Sequence, residues 1–439
     1  MLNLSAGGIP VEEHDAVFAK CAWRLIPFMG LLYLANYIDR VNAGFAALTM
    51  NKDLSFSPAV FGFGAGVFFV GYLLFQVPAN IVLGRIGARR WIFAILLTWG
   101  AISAATAFVQ GPGGFYTLRF LLGIAEAGFF PGMIFYLTLW FPQAFRARFA
   151  ASFICAIPLS GIVGGPLSGL ILGMDGFLGL HGWQWLFLIE GLPVSLLAFA
   201  VLKYLPDGPR DAQWLTPAEK SAIAARLAAD PSAEDEDLWR ALRDPRVVVL
   251  ALAGFADGSA LYGTGLWLPQ IVGAMGFSNL ATGLVVALVY TASMGAIVGL
   301  GFSSDRHGER FWHIALAWLL SAAGCAVASF AGNNLVALLG LTLAVAGVQS
   351  GISPYFAVPS TFLKGAAAAG GIALMNTMAS LGGFAAPTLI GVLRERSGNY
   401  SSGMAMLAFE LIVGAFIILA LGRAMTPRAA IARPETSAG

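Results

Sequence analysis

The sequence predicts an all-α integral membrane protein with about twelve transmembrane helices, and three observations predict it. Hydrophobic residues fill 58% of the 439 positions and charged residues only 11%, where an average soluble protein carries about 25% charge. The apolar residues fall in long uncharged runs, and about 20 residues of helix cross a hydrocarbon core of about 30 Å. Lys and Arg gather in alternate connections between the runs, as the preference of basic loops for the cytoplasm requires. A β-barrel would need short alternating strands instead.

In order, the first span covers 24–48 and holds Asp39 and Arg40 side by side. The second, 58–80, carries Tyr72, and the third is 89–109. The fourth, 112–140, holds Arg119 and Glu126. In the fifth, 147–172, and just beyond it, Gly161, Gly165, Gly169 and Gly173 recur every fourth residue and make a smooth stripe for close helix approach, for static packing, sliding or both. The sixth is 184–204. A polar stretch follows, with Thr216, Pro217 and Glu219 spaced to open a short helix, an acidic cluster at Glu234, Asp235, Glu236 and Asp237, and Arg240, Arg243 and Arg246 at its exit. The seventh span, 245–273, contains Asp257, read as a local structural pair ahead of a second ion site. The eighth, 281–302, repeats the small-residue spacing at Gly295 and Gly299, and the ninth is 312–331. The tenth, 334–361, is interrupted by Pro354 and Pro359 beside Ser353, Tyr355 and Phe356, where freed carbonyls and side chains can line a cavity. The eleventh, 367–393, contains Asn376, whose amide needs partners when buried. The twelfth is 402–424. Glu190 and Glu410 are expected near span ends or against polar partners.

With both termini inside, only Lys52, Arg394 and Arg396 fall outside, and Arg40 and Arg119 lie within spans; the other basic residues are inside. The expected organisation is a cytoplasmic segment 1–23, an N-terminal six-span half 24–204, a cytoplasmic linker 205–244, a C-terminal half 245–424 and a cytoplasmic tail 425–439. Met1–Lys20 carries Glu12, Glu13 and Asp15 and does not look like a cleavable signal, so the first span is expected to act as the targeting signal. The formal net charge of +2 points to no nucleic acid partner. Cys21, Cys155 and Cys325 are scattered and suggest neither a disulfide nor a metal. His14, His181, His307 and His313 have no zinc or haem spacing, and no G-x-x-x-x-G-K-[ST] phosphate loop appears. No cofactor, no enzymatic constellation and no channel filter is read from the chain.

Asp39, Arg40, Arg119 and Glu126 therefore mark the working site, because a charge at bilayer depth costs about 2.5 to 3.5 kcal/mol and usually faces a bundle interior or watery cavity. Tyr33, Tyr37 and Arg40 share one helical face. An Arg fork matches a carboxylate bidentately. Asp39 points about 100° away from Arg40, so the two are read as having different tasks. Arg119 and Glu126 lie about 10 Å apart along one face, in one polar pathway without a tight pair; a packing role for Arg119 stays open. Glu126, among Phe120, Phe129 and Phe130, reads as a proton carrier or as a structural carboxylate, with Asp39 the second proton candidate. Tyr72 is open between substrate contact and packing.

Two loops echo each other: Gly84-Arg85-Ile-Gly87-Ala-Arg89-Arg90, and Asp305-Arg306-His-Gly308-Glu309-Arg310. They resemble the G-x-x-x-D-R-x-G-R-R gating loop of the major facilitator superfamily. In the first copy Gly84 stands where the family has Asp. Asn36-Tyr37-Ile38-Asp39-Arg40-Val41-Asn42, the Gly71–Asn80 stretch, Arg119–Gly132 and Gly182–Gly191 resemble the anion:cation symporters. That likeness, over about residues 20–424, implies two six-helix bundles in a bacterial inner membrane, normally a monomer surrounded by lipid. It implies proton coupling at Asp39 and Glu126, and anion binding or its linkage to protons at Arg40 and Arg119. It also places substrate contacts near Ser353, Tyr355, Phe356 and Asn376, which helix-to-helix hydrogen bonding would explain equally. The function expected is proton-coupled uptake, by alternating access, of an organic carboxylate such as a sugar acid, tartrate or an aromatic acid. The alternative is a proton-driven exporter of a metabolite or drug.

Overall fold

In the computed structural model, residues 11–143, 145, 146, 149, 153, 155–229, 242–363 and 365–425 are described. Arg148, Glu234–Asp237, Arg240, Lys364 and the tail beyond 425 lie outside them. The helices in chain order are α1 (Val11–Asp53), α2 (Pro58–Ile86), α3 (Ala88–Ala105), α4 (Pro112–Glu126), α5 (Phe129–Trp140), α6 (Ala156–Leu172), α7 (Gly182–Tyr204), α8 (Pro217–Ala228), α9 (Pro245–Gly273), α10 (Asn279–His307), α11 (Phe311–Ser329), α12 (Asn334–Ala357), α13 (Gly365–Ser397) and α14 (Ser401–Met425). Among the described residues, eleven segments are long and apolar enough to cross a membrane, and the shorter apolar α6 makes a twelfth.

Local chemistry sets the ends. Ser57 caps α2 through Val60 N–H with Pro58 in the first turn, and Asp244 and Pro245 start α9 in the same way. Gly87 and Gly308 end α2 and α10 at φ +82° and +62°, conformations that cost a residue with a Cβ. The fourth predicted span is not one helix. Pro131 has no N–H to offer the Ala127 carbonyl, and α4 stops at Glu126 before α5 resumes at Phe129. The Gly128 carbonyl beside the break accepts from Gly132 N–H at 3.0 Å and from Trp91 Nε1 at 3.2 Å.

Helices α1–α7 form one bundle and α9–α14 the other, meeting along α2 with α13, α6 with α10 and α1 with α9. These seams are tight at the end away from the linker. Asn51 Nδ2 donates to Gln270 Oε1 at 3.2 Å, and Ser57 Oγ and Ala59 N–H donate to Glu395 Oε2 at 2.7 and 3.1 Å. A Cβ on Gly165 would meet the Gly283 carbonyl oxygen at 2.6 Å, and one on Gly169 the Asn279 oxygen at 2.7 Å. So α6 and α10 touch backbone to backbone, and the predicted glycine stripe is a seam between bundles. Toward the linker end the helices part. On α2 the stretch from Phe61 to Tyr72 is largely buried, whereas Leu74, Val77, Ile81 and Ile86 are exposed. Gly295 and Gly299 on α10 face open space.

The linker is fastened to the first bundle. Thr216 and Glu219 form the capping box of α8. Tyr136 OH donates to the Pro206 carbonyl at 2.8 Å, Trp140 stacks on Trp214 at 5.6 Å, and Lys20 Nζ reaches Glu219 at 2.8 Å.

Candidate functional site

Where the two bundles face each other, a cleft is lined by Tyr37, Arg40 and Val41 of α1, Ile157 and Ser160 of α6, Leu261, Tyr262, Gly265 and Leu266 of α9, Tyr290 of α10 and Gln349 of α12. Arg40 is the one charged residue in that lining. Its guanidinium lies over the rings of Tyr37, Phe68 and Tyr72, at 5.2, 5.4 and 5.4 Å. Cation–π attraction and the aromatic walls thus hold a cation that is 9% exposed. Behind the wall, Arg40 Nη2 donates to Glu126 Oε2 at 2.7 Å, and Asn36 Nδ2 reaches the same oxygen at 2.8 Å. Glu126 Oε1 has no partner, and neither has Arg40 Nε. The broken span explains how the acid gets there, since Glu126 is the last residue of α4.

The expectation that Asp39 and Arg40 have separate surroundings matches the geometry. Asp39 turns to α3, where Trp99 Nε1 donates to Oδ2 at 2.5 Å and Ser103 Oγ donates to Oδ1, with Asn42 Nδ2 on Oδ1 at 2.9 Å. Arg119 is 1% exposed and stacks on Phe68 at 5.0 Å, and none of its three guanidinium nitrogens has a hydrogen-bond partner. Glu126 pairs with Arg40, so Arg119 and Glu126 are not a tight pair.

Other predicted residues lie elsewhere. Tyr72 is buried against Arg40 behind the cleft wall. Tyr355 is fully buried in the second bundle, donating to the Leu250 carbonyl at 2.8 Å beside Trp318 at 5.5 Å. Ser353, Phe356 and Asn376 are partly buried and do not line the cleft. Asp257 accepts from Trp318 Nε1 at 3.1 Å, a local pair as read. Glu190 lies in mid-helix, buried against Ser168, and not near a span end. In the two loops that echo each other in sequence, Arg89 bonds Asp207 at 3.3 Å and the Leu202 carbonyl, and Arg310 bonds Asp305 at 2.6 Å and Ser304 Oγ at 2.9 Å. Arg85 and Arg306 are exposed at the ends of α2 and α10, next to the turns at Gly87 and Gly308.

Sequence reasoning missed Tyr262, Tyr290, Gln349 and Ser160 as cleft residues. Gln349 carried a usable signal, a mid-span amide like Asn376; its Oε1 accepts from Ser293 Oγ at 2.8 Å. The tyrosines carried none, because a tyrosine in a span packs as readily as it binds. Among the described residues no group of three or more His, Cys, Asp and Glu could hold a metal.

Residues 29–387 match the profile of the Major Facilitator Superfamily. The chain belongs to that superfamily. A protein of Agrobacterium vitis named for tartrate transport is 46% identical over 415 residues, covering 94% of this chain and 96% of its own. A quinolone resistance transporter of Acinetobacter baumannii is 39% identical, covering 92% and 94%. Among solved structures, a bacterial homologue of the human lysosomal transporter Spinster, inward-facing and occupied, superposes with a TM-score of 0.74 at 16% identity, covering 91% of this chain and 96% of its own. As a superfamily member with these helices, the protein is a multi-pass inner-membrane secondary transporter resembling the anion:cation symporters.

Proposed function

We propose that the protein takes up a small organic carboxylate together with protons, and that Arg40 and Glu126 form the switch between them. One observation carries this reading: Arg40 both lines the cleft and donates to Glu126. With Glu126 charged, the guanidinium is neutralised from behind. A proton on the open Oε1 removes that competitor and leaves Arg40 for the carboxylate of the cargo. Anion and proton thus load together, which lowers the charge carried past the barrier. Asp39, held by donors from α1 and α3, is the second proton site.

The cleft suits an acid with a compact body. Tyr37, Tyr262, Tyr290, Ser160 and Gln349 offer hydroxyl and amide groups, while Val41, Ile157, Leu261 and Leu266 supply apolar walls. One guanidinium fits one carboxylate. The tartrate relative supports an organic acid as cargo. With the basic linker end in the cytoplasm, the closed end faces outward and the cleft opens inward. If two protons accompany a monoanion, the net positive charge gains about 2.3 kcal/mol per 100 mV of membrane potential.

A second reading is export, favoured by the quinolone resistance relative. A quinolone also carries a carboxylate, so the same guanidinium would serve it.

Proteoliposomes under an imposed pH gradient, offered tartrate, gluconate and benzoate, test both. Uptake toward the alkaline side of one of these acids is expected. Glu126→Gln should abolish gradient-driven accumulation while sparing exchange, and Arg40→Ala should abolish both. Unchanged accumulation in Glu126→Gln removes that residue from coupling, and substrate moving against the proton flow selects export.

A further inference from the structure

A third acid shares the interior of the first bundle with Asp39 and Glu126. Glu190 of α7 is 7% exposed, and Ser168 Oγ of α6 donates to its Oε1 at 2.9 Å. Its Oε2 is buried without a partner. Beside it lies Asn42 of α1, whose amide is in hydrogen-bonding reach of the Glu190 carboxyl. The Nδ2 of Asn42 is already committed to Asp39 Oδ1 at 2.9 Å, and its Oδ1 is the second buried oxygen with no partner. The unpartnered Oε2 leaves the network incomplete, and a buried unsatisfied polar atom costs about 1–3 kcal/mol. A proton on Glu190 Oε2 removes the buried charge and turns that oxygen into a donor.

The surroundings offer no other remedy. The polar or titratable groups placed around Glu190 are Asp39 and Asn42 on α1 and Ser168 on α6, and none of the ion pairs among the described residues joins it to a basic side chain. At the next residue α7 and α3 are pressed together, since a Cβ on Gly191 would meet Ala104 N at 2.7 Å and the Gly100 oxygen at 2.9 Å. Glu190 therefore occupies the same layer as Ser103, a donor to Asp39.

Resting on the proton-coupled reading above, we infer that Glu190 is a third proton-carrying group, joined to Asp39 through Asn42, and that it contributes one proton to each transport cycle. The proton binds Oε2 in the loaded state and leaves to the inner aqueous side, where the carboxylate keeps only the Ser168 hydroxyl as donor.

The test is the proton-to-substrate ratio, read from the reversal potential in proteoliposomes with whichever of tartrate, gluconate or benzoate the wild type accumulates. Glu190→Gln keeps the shape and the hydrogen-bonding atoms but cannot titrate, and its ratio should fall by one. Glu190→Asp keeps a carboxyl and should keep the wild-type ratio. Glu190→Ser, neutral and smaller, gives the same reading as Gln should the latter fail to reach the membrane. An equal ratio in the wild type and the neutral variants overturns the inference and leaves the proton-coupled reading standing. A ratio that follows a sodium gradient at fixed pH also overturns it. A wild type with no pH-driven transport of any of the three acids overturns both.

Discussion

At the residue scale, the site divides its charges by direction. Arg40 looks into the cleft and back to Glu126, while Asp39, one position earlier, is held by Trp99 and Ser103. The side of the cleft opposite Arg40 is uncharged, so affinity there rests on hydrogen bonds such as those Gln349 can offer. A net hydrogen bond is worth about 1 kcal/mol, and Gln349→Leu should raise the apparent KM of the transported acid roughly fivefold with little change in maximal rate, measured as initial uptake against concentration. Arg40, Asp39 and Glu126 were legible in the sequence because charge in an apolar run has few explanations. Tyr262 and Tyr290 were not, because what distinguishes a binding tyrosine is the partner it lacks, and that requires the fold. Glu190 was visible as an acid, but its depth depends on how α7 turns against α6.

At the element scale, two features carry consequences. The α6–α10 seam is built from backbone contact, so any added side chain pushes the bundles apart at that end. Gly283→Val should hold the outer end open, and the distance between spin labels at Ser57 and Glu395 should lengthen relative to the unsubstituted seam; an unchanged distance would refute the seam as the closing surface. The second feature is α8. The hydrogen bond from Lys20, with the Thr216 backbone N–H, holds the Glu219 carboxyl below the usual carboxylate range. A depressed carboxyl adds stability above its unfolded value of about 4.3 and loses it as pH falls through the folded value. Hydrogen exchange in 217–228, taken relative to the intrinsic rate, should therefore quicken as pH falls below about 4.3, and Glu219→Gln should show the faster exchange already at neutral pH. The pair is largely solvated, so the effect stays small. The helix itself was legible, since Thr216, Pro217 and Glu219 stand at capping positions. The break between α4 and α5 was not read, although Pro131 announced it; a proline in a span is often absorbed by a kink, and here the helix stops at Glu126 and resumes at Phe129.

At the whole-molecule scale, the number of spans and their division six and six about the linker followed from composition and charge placement, because lipid permits so few architectures, while the two-bundle fold came from the family resemblance. Which end is closed was not legible, since a single sequence must form both the inward-open and the outward-open states. Among the contacts closing the outer end are Asn51 with Gln270 and Ser57 with Glu395. Each is exposed enough to contribute about 0.5–1 kcal/mol. Removing both with Gln270→Ala and Glu395→Ala should shift the balance toward the outward-open form by roughly five- to thirtyfold, measured as faster thiol labelling of a cysteine placed at Tyr262.

At the inner end, Arg89 and Arg310 are engaged by Asp207 and Asp305, each within its own half of the molecule. Those arginines therefore offer no latch that would draw the halves together after cargo has left. On the proposed uptake reading, an unloaded carrier is expected to linger with its mouth toward the compartment it has just supplied, so that resetting rather than delivery sets the pace. Vesicles preloaded with the cargo acid should consequently fill with labelled acid faster than empty ones.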